Sequence, residues 1–126
     1  MNRLLLDTQI FIWAVMDSHR LGPSARKMLN EAEQVYVSAV SIWEIAIKAR
    51  LGKINADTQE MLRAISDSGF AELAVSAHHA AGVERLELHH QDPFDRLLVA
   101  QAMAEPLRLL TADPLLEKYS DLVTRI

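Results

Sequence analysis

Short β-rich runs alternate with longer segments of helical composition along the whole chain, and this alternation constrains the fold more than any other feature. The predicted strands cover residues 3–7, 35–37, 70–75, 107–111 and 121–125. The predicted helices cover residues 8–16, 24–33, 40–51, 57–68, 76–86 and 92–105, and a short helix begins at Asp113. Strands that alternate with helices favour a parallel sheet with helices on both of its faces. We therefore predict an α/β fold.

Capping and turn residues support these boundaries. Gly52 and Gly69 each follow a predicted helix, at the position where a residue with left-handed backbone commonly ends one. Asp57 and Asp92 precede predicted helices as N-caps, and Pro93 suits the first helical position after Asp92.

Composition excludes several classes of protein. Half of the 126 residues are hydrophobic, which suits one folded domain over residues 1–126 and excludes a disordered or fibrous chain. There is no cysteine, so disulfides, thiolate metal sites and a cysteine nucleophile are excluded. No segment resembles a signal peptide, and no apolar stretch approaches the ~20 residues of a membrane span. We expect a soluble, cytoplasmic protein with no membrane partner.

Four acidic residues lie where predicted strands end or predicted helices begin. Asp7 ends the first strand and Asp113 follows the fourth, while Glu44 and Asp95 lie in the first or second turns of helices. Because parallel α/β sheets bind ligands at the carboxyl ends of their strands, all four side chains would meet at one edge. Hard cations such as Mg²⁺ take oxygen ligands, commonly carboxylates, waters and substrate phosphates. The arrangement therefore indicates a metal-dependent enzyme that acts on phosphodiesters.

The net charge neither supports nor excludes a nucleic-acid substrate. The chain has 13 basic and 17 acidic residues, a net charge of −4, whereas a simple nucleic-acid-binding protein usually has a basic surface. If four acids hold cations, the other 13 acidic residues balance the 13 basic ones.

Three of the four acids also have an explanation as parts of helix ends. Asp7 and Asp113 would be N-caps, and Asp95 would lie in a first turn, where the helix dipole favours an acid. Each such contribution is worth about 1 kcal/mol of helix stability. A non-catalytic binding or dimerisation module, whose acids are helix caps, is therefore the alternative to an enzyme.

Glu44 favours the metal site more strongly. It would complete a capping box with Ser41, but Ser38 is an equally good N-cap. A glutamate within so apolar a segment is costly to bury unless it is paired or bound to a metal. Lys48, four residues later, would be its ordinary partner on the helix.

The histidines do not predict a metal site. Four of the five occur as the adjacent pairs His78-His79 and His89-His90, with His19 apart, and adjacent residues on a helix do not face each other. We expect His89 and His90 in a solvated loop, with contact to a substrate phosphate as the alternative.

Four segments resemble the PIN-domain family, and specifically its VapC-type ribonuclease toxins. They are Leu-Leu-Leu-Asp-Thr at 4–8, Ser-Ile-Trp-Glu at 41–44, His-His-Gln-Asp-Pro-Phe-Asp-Arg at 89–96 and Leu-Thr-Ala-Asp-Pro at 110–114. The resemblance implies a three-layer α/β/α PIN-like domain with a central parallel sheet. Two positions depart from the family pattern: Gln9 replaces a frequent asparagine, and Asp113 lies where many relatives have asparagine followed by a later acid.

The resemblance also implies the roles of single residues. Asp7, Glu44, Asp95 and Asp113 would be the catalytic, metal-binding acids for Mg²⁺ or Mn²⁺. Such a cation makes a nucleophile of water without a catalytic histidine. Thr8 and Thr111 resemble the hydroxyl residues beside the first and last acids, and both would contact substrate. Arg96 would bind the phosphate backbone, or would instead hold Asp92 or groups near Glu105. Asp92 is itself the expected helix cap.

The partners implied by the resemblance are an RNA substrate, a VapB-like antitoxin and a second copy of the chain. Transfer or ribosomal RNA is the expected substrate, because proteins recognise the unpaired bases of RNA. The antitoxin would cover the active site with an extended segment. The first and third predicted helices are apolar around more than one face, which agrees with contact to another chain.

Overall fold

A computed structural model describes residues 2–126, and its centre is a five-stranded sheet. The strands are β1 (Arg3–Leu6), β2 (Gln34–Ser38), β3 (Ala71–Leu73), β4 (Arg108–Thr111) and β5 (Val123–Arg125). They pair in the order β3-β2-β1-β4-β5, and every pair is parallel. The predicted α/β fold with a parallel central sheet is confirmed.

Six α-helices connect the strands of the described chain. They are α1 (Thr8–Val15), α2 (Pro23–Glu31), α3 (Ala39–Arg50), α4 (Thr58–Asp67), α5 (Ala77–Gly82) and α6 (Pro93–Ala104). Asp57 and Asp92 are the N-caps of α4 and α6, as predicted. Gly52 and Gly69 follow α3 and α4 with φ of 72° and 77°, a backbone conformation that suits glycine.

Two helices differ from the prediction. The helix expected over residues 76–86 is α-helical only to Gly82 and continues as a 3₁₀-helix, Val83–Arg85. The short helix expected from Asp113 is a 3₁₀-helix that begins later, at Leu116–Lys118. In the described chain, no helix has the length and apolar character needed to span a bilayer.

Both faces of the sheet are buried. Leu4 and Leu6 of β1 belong to one hydrophobic cluster, whereas Leu5 between them belongs to the other. The first cluster includes Phe11 of α1, and the second includes Leu98 of α6. Because side chains alternate between the two faces of a strand, this distribution places helices above and below the sheet. The result is the three-layer arrangement.

The strand order creates a crevice at the middle of the sheet. The chain runs from β1 outward through β2 to β3, and then returns to the other side of β1 for β4 and β5. The order therefore reverses between β1 and β4, and α/β sheets bind ligands beyond the carboxyl ends of strands at such a point. Asp7 follows β1 and Asp113 lies just after β4, so this crevice is where the predicted site belongs.

Candidate metal centre

All four predicted acids line one open pocket of about 390 Å³ at the carboxyl edge of the sheet. A fifth acid, Asp92, lines it as well. Lys48 is the one cationic side chain among the described residues that line this pocket. The remaining wall residues are Thr8, Gln9, Ile12, Trp13, Ile45, Ile54 and Ala112. A largely acidic cavity with apolar walls is the result.

Asp7 is both a helix cap and part of the pocket. Its Oδ1 accepts a hydrogen bond from the backbone N–H of Ile10 at 2.8 Å, and its Oδ2 accepts one from the Thr111 hydroxyl at 2.5 Å. Burial raises the pKa of the Asp7 carboxyl to about 6, and the charges of Glu44 and Asp113 add to the increase against these two hydrogen bonds. The cap explanation is therefore correct for Asp7 and compatible with a metal site.

Glu44 lies in the second turn of α3 and is only 4% exposed. Its Oε2 accepts a hydrogen bond from Nζ of Lys48 at 2.6 Å, whereas its buried Oε1 has no hydrogen-bond partner among residues 2–126. The capping-box alternative with Ser41 is wrong. Ser38 has the extended backbone of an N-cap and accepts from the N–H of Val40, while Ser41 lies inside the helix.

Asp95 lies in the first turn of α6, beside the N-cap. Asp92 fills the cap position and accepts hydrogen bonds from the backbone N–H groups of Phe94 and Asp95. Burial first, and then the charges of Asp92, Asp7 and Glu44, raise the pKa of the Asp95 carboxyl to about 7. The carboxylates thus hinder one another's ionisation, and a cation would relieve that repulsion.

Asp113 is held in the loop after β4 by three contacts. Its backbone N–H donates to the Thr111 hydroxyl at 3.0 Å, and its Oδ1 accepts from the N–H of Leu115 at 2.9 Å. Its Oδ2 lies 2.9 Å from Nε2 of His90, which is also 3.4 Å from Oδ2 of Asp95. Nε2 of His90 and one carboxylate oxygen from each of these two acids all lie within 4.8 Å of one another.

His90 is the site residue that the sequence did not predict. The solvated-loop interpretation is wrong for it, because its side chain is only 18% exposed and contacts two of the acids. Its only sequence signal is its position two residues before the cap of α6, since its contact with Asp113 spans 23 positions. His89 lies apart from the acids, packed edge-on against Tyr119 with ring centroids 5.0 Å apart.

Thr8 and Thr111 both have protein partners for their hydroxyls. The Thr8 hydroxyl donates to Oγ of Ser41 at 2.9 Å, and Thr8 also lines the pocket. Thr111 is fully buried and donates to Asp7, so its hydroxyl orients that carboxylate where we had expected contact with substrate.

Arg96 points away from the acids. Its guanidinium donates to the backbone carbonyls of Val83, Leu86, Glu87 and His90 and to the hydroxyl of Tyr119, over 3.0–3.4 Å. The expected bond to Asp92 is not among these contacts of the described residues, and binding of the phosphate backbone stays a prediction. Because all of its described partners belong to segment 83–90 and to Tyr119, Arg96 braces the loop that carries His90.

The donor set fits a hard divalent cation. The pocket offers carboxylate oxygens from five acids and no thiolate, which is the chemistry that Mg²⁺ and Mn²⁺ accept. The unpartnered Oε1 of Glu44 is costly to bury without a ligand. The raised pKa values of Asp7 and Asp95 mean that the ionised forms of both carboxyls are unfavourable here, and a bound cation would stabilise those forms.

Comparisons with known proteins show which family model the chain matches and which solved structures have a similar fold. A model of the PIN domain matches residues 4–122. Ribonuclease VapC22 of Mycobacterium tuberculosis is 26% identical over 125 residues, covering 94% of this chain and 93% of that protein. The solved VapBC2 complex of Rickettsia felis, bound to a DNA fragment from its promoter, superposes with a TM-score of 0.70 at 15% identity and 98% coverage of both chains. A toxin–antitoxin complex from Klebsiella pneumoniae superposes with a TM-score of 0.69 at 20% identity, over 98% of this chain and 99% of that one.

Proposed function

The chain belongs to the PIN-domain family, and on that premise we propose that it is a single-domain, metal-dependent endoribonuclease, the toxin of a VapBC-type toxin–antitoxin pair. Two findings about similar proteins support this: a relative that is matched over 93% of its length is named a ribonuclease, and two solved structures with this fold are toxin–antitoxin complexes. The observation that carries the proposal is the convergence of Asp7, Glu44, Asp95 and Asp113 on one pocket, with one buried Glu44 oxygen unpartnered.

These four acids would hold Mg²⁺ or Mn²⁺. A bound divalent cation supplies a water nucleophile at neutral pH and stabilises negative charge that develops on the phosphate. The acids would supply part of the cation's oxygen ligands, and waters and substrate phosphate would supply the rest, as is usual for magnesium sites. This requirement for a cation also explains how a chain with a net charge of −4 can act on a polyanion.

The protein's own residues prepare this site. The Thr111 hydroxyl and the N–H of Ile10 fix both oxygens of Asp7, so this acid is oriented before any ligand arrives. Lys48 neutralises Oε2 of Glu44 and leaves Oε1 for the cation. The apolar side chains of Ile12 and Trp13 line the pocket beside the acids, and walls of low polarity strengthen the electrostatic interactions next to them.

The alternative is a non-catalytic binding or dimerisation module. Helix capping accounts for Asp7 and Asp92, whose oxygens accept backbone hydrogen bonds. It does not account for Glu44, which lies in a second turn and caps nothing. It also gives no reason to bury carboxylates that raise one another's pKa.

The partners that we propose are an RNA substrate, an antitoxin and a second copy of the chain in a homodimer. Unpaired segments of transfer or ribosomal RNA suit an open pocket, because their bases and backbone are accessible. A VapB-like antitoxin would cover the pocket with an extended segment. Exposed apolar side chains at the end of α1 and on α3 and α4 agree with contact surfaces for such partners: Met16, Trp43, Leu51 and Leu62.

Incubation of the purified chain, free of other proteins, with total RNA tests the proposal. We expect discrete fragments in Mg²⁺ or Mn²⁺, none in EDTA and none from Asp95→Asn. Asp121→Asn is the matched control, because Asp121 is exposed and does not line the pocket. A folded wild-type chain that neither cleaves RNA nor binds metal would favour the non-catalytic module.

A further inference from the structure

The ring of His90 joins two parts of the metal centre that are far apart in sequence. Nδ1 accepts a hydrogen bond from the backbone N–H of Asp92 at 3.0 Å, and Nε2 lies 2.9 Å from Oδ2 of Asp113. Asp92 begins helix α6, which carries Asp95, whereas Asp113 follows β4. One imidazole therefore spans the two elements that supply the third and fourth acids.

The contact with Asp92 determines which ring nitrogen holds the proton. A backbone N–H can only donate, so Nδ1 must accept and carries no hydrogen. The proton then lies on Nε2, which donates it to the carboxylate of Asp113. A histidine that ligates a metal through Nε2 needs a lone pair there, and this tautomer has none.

The backbone of His90 is fixed as well. Its N–H donates to the hydroxyl of Tyr119 at 2.9 Å, and its carbonyl accepts from Arg96 at 3.4 Å. Because Arg96 also donates hydrogen bonds to the carbonyls of Val83, Leu86 and Glu87, several hydrogen bonds hold the loop before α6 in place. The imidazole is thus held in place from both its backbone and its Nδ1 side.

We propose that His90 is a positioning residue that holds Asp113 for the cation through its Nε2–H and is not itself a metal ligand. The inference rests on the proposed function. Each carboxylate oxygen has two lone pairs, so the hydrogen bonds from His90 and Leu115 leave Asp113 able to bind metal. Without His90, Oδ2 loses its one partner among residues 2–126, and the separation between the Asp113 and Asp95 carboxylates is no longer fixed.

The test is Mn²⁺ binding, measured by electron paramagnetic resonance titration of the full chain, in His90→Ala, His90→Gln and His89→Ala. Loss of a residue that hydrogen-bonds a metal ligand typically costs 10–100-fold in affinity, so we expect His90→Ala to bind Mn²⁺ on the order of 10–100-fold more weakly. Glutamine places an amide N–H near the position of Nε2, so His90→Gln should retain most of the affinity. His89→Ala, which leaves the acids untouched, should match the wild type.

Pulsed spectra of wild-type protein with bound Mn²⁺ should show no ¹⁴N coupling from an imidazole ligand. Wild-type affinity in His90→Ala, failure of His90→Gln to exceed His90→Ala, or a strong imidazole coupling would each overturn the inference. The spectrum needs no variant, so the inference stays testable even if His90→Ala does not fold. Asp95→Asn separates the two proposals: if it binds Mn²⁺ as the wild type does, the metal centre itself is wrong.

Discussion

Replacement of Asp95 by asparagine should make the metal-free protein more stable at neutral pH while it removes activity. In the folded protein, burial and the charges of Asp92, Asp7 and Glu44 raise the pKa of this carboxyl from 3.8 to about 7. The difference is roughly three pH units, and each unit corresponds to about 1.4 kcal/mol. The ionised carboxylate therefore lowers the free energy of unfolding by up to about 4 kcal/mol.

The pH dependence of this effect has a definite sign. Well below pH 4 the carboxyl of Asp95 is protonated in both folded and unfolded chains, so it costs nothing. Between pH 4 and pH 7 the unfolded chain loses the proton first, and the folded state is progressively destabilised. Above pH 7 the penalty is constant. Asparagine cannot ionise, so its advantage should grow from near zero at pH 4 to its full value above pH 7.

Urea denaturation in EDTA, followed by tryptophan fluorescence between pH 4 and pH 8.5, measures the effect. The Asp95 side chain is 19% exposed and its amide replacement must be buried too, so we expect a gain of about 2–4 kcal/mol at pH 8. With a slope of about 2 kcal/mol per molar urea, the middle of the usual range, the midpoint should rise by about 1–2 M. Asp121→Asn should leave the midpoint unchanged. A gain that is absent at pH 8, or equal at pH 4 and pH 8, would refute this account of the site.

Three further predictions concern the metal and the residues that support it. Mn²⁺ at 100 times its dissociation constant should add about 2.7 kcal/mol to the wild-type free energy of unfolding. An equal increase in Asp95→Asn would show that Asp95 is not a metal ligand. Thr111→Val deletes the donor to Asp7 and should cost about 1.5–3 kcal/mol in urea denaturation, whereas Thr111→Ser should lose less, and equal losses would show that the methyl group matters more than the hydroxyl. Arg96→Met leaves several carbonyls unpaired and should cost about 2–4 kcal/mol in urea denaturation, with the KM for RNA at saturating Mn²⁺ unchanged in the folded protein; a higher KM at unchanged stability would instead indicate that Arg96 binds the phosphate backbone.

Much of the fold could be predicted because its determinants are local. The apolar strands and the cap residues Asp57 and Asp92 each act within a few positions of the backbone that they define. The helix over residues 76–86 ends early for a reason that is not local. The carbonyls of Val83 and Leu86 accept hydrogen bonds from Arg96, so they serve a contact outside that helix.

The position of the site could also be predicted from the sequence, whereas the partners of its acids could not. Asp7 and Asp113 follow neighbouring parallel strands, and the strand order brings them to one crevice, so their convergence follows from the fold class. The partners of these acids do not follow from it. Thr111 is fully buried beneath Asp7, and His90 reaches Asp113 from a loop braced by Arg96; both contacts depend on tertiary packing.

The most direct test of the proposed ribonuclease is the dependence of RNA cleavage on Mn²⁺ concentration, compared with Mn²⁺ binding by the same protein. We predict that cleavage saturates with the binding curve, and that Asp95→Asn cleaves slower by on the order of 100-fold or more, since loss of even a supporting partner costs 10–100-fold. The variant should meanwhile remain folded and at least as stable as the wild type. Cleavage that persists in EDTA, or proceeds at the wild-type rate in Asp95→Asn, would contradict a carboxylate-held metal as the source of activity.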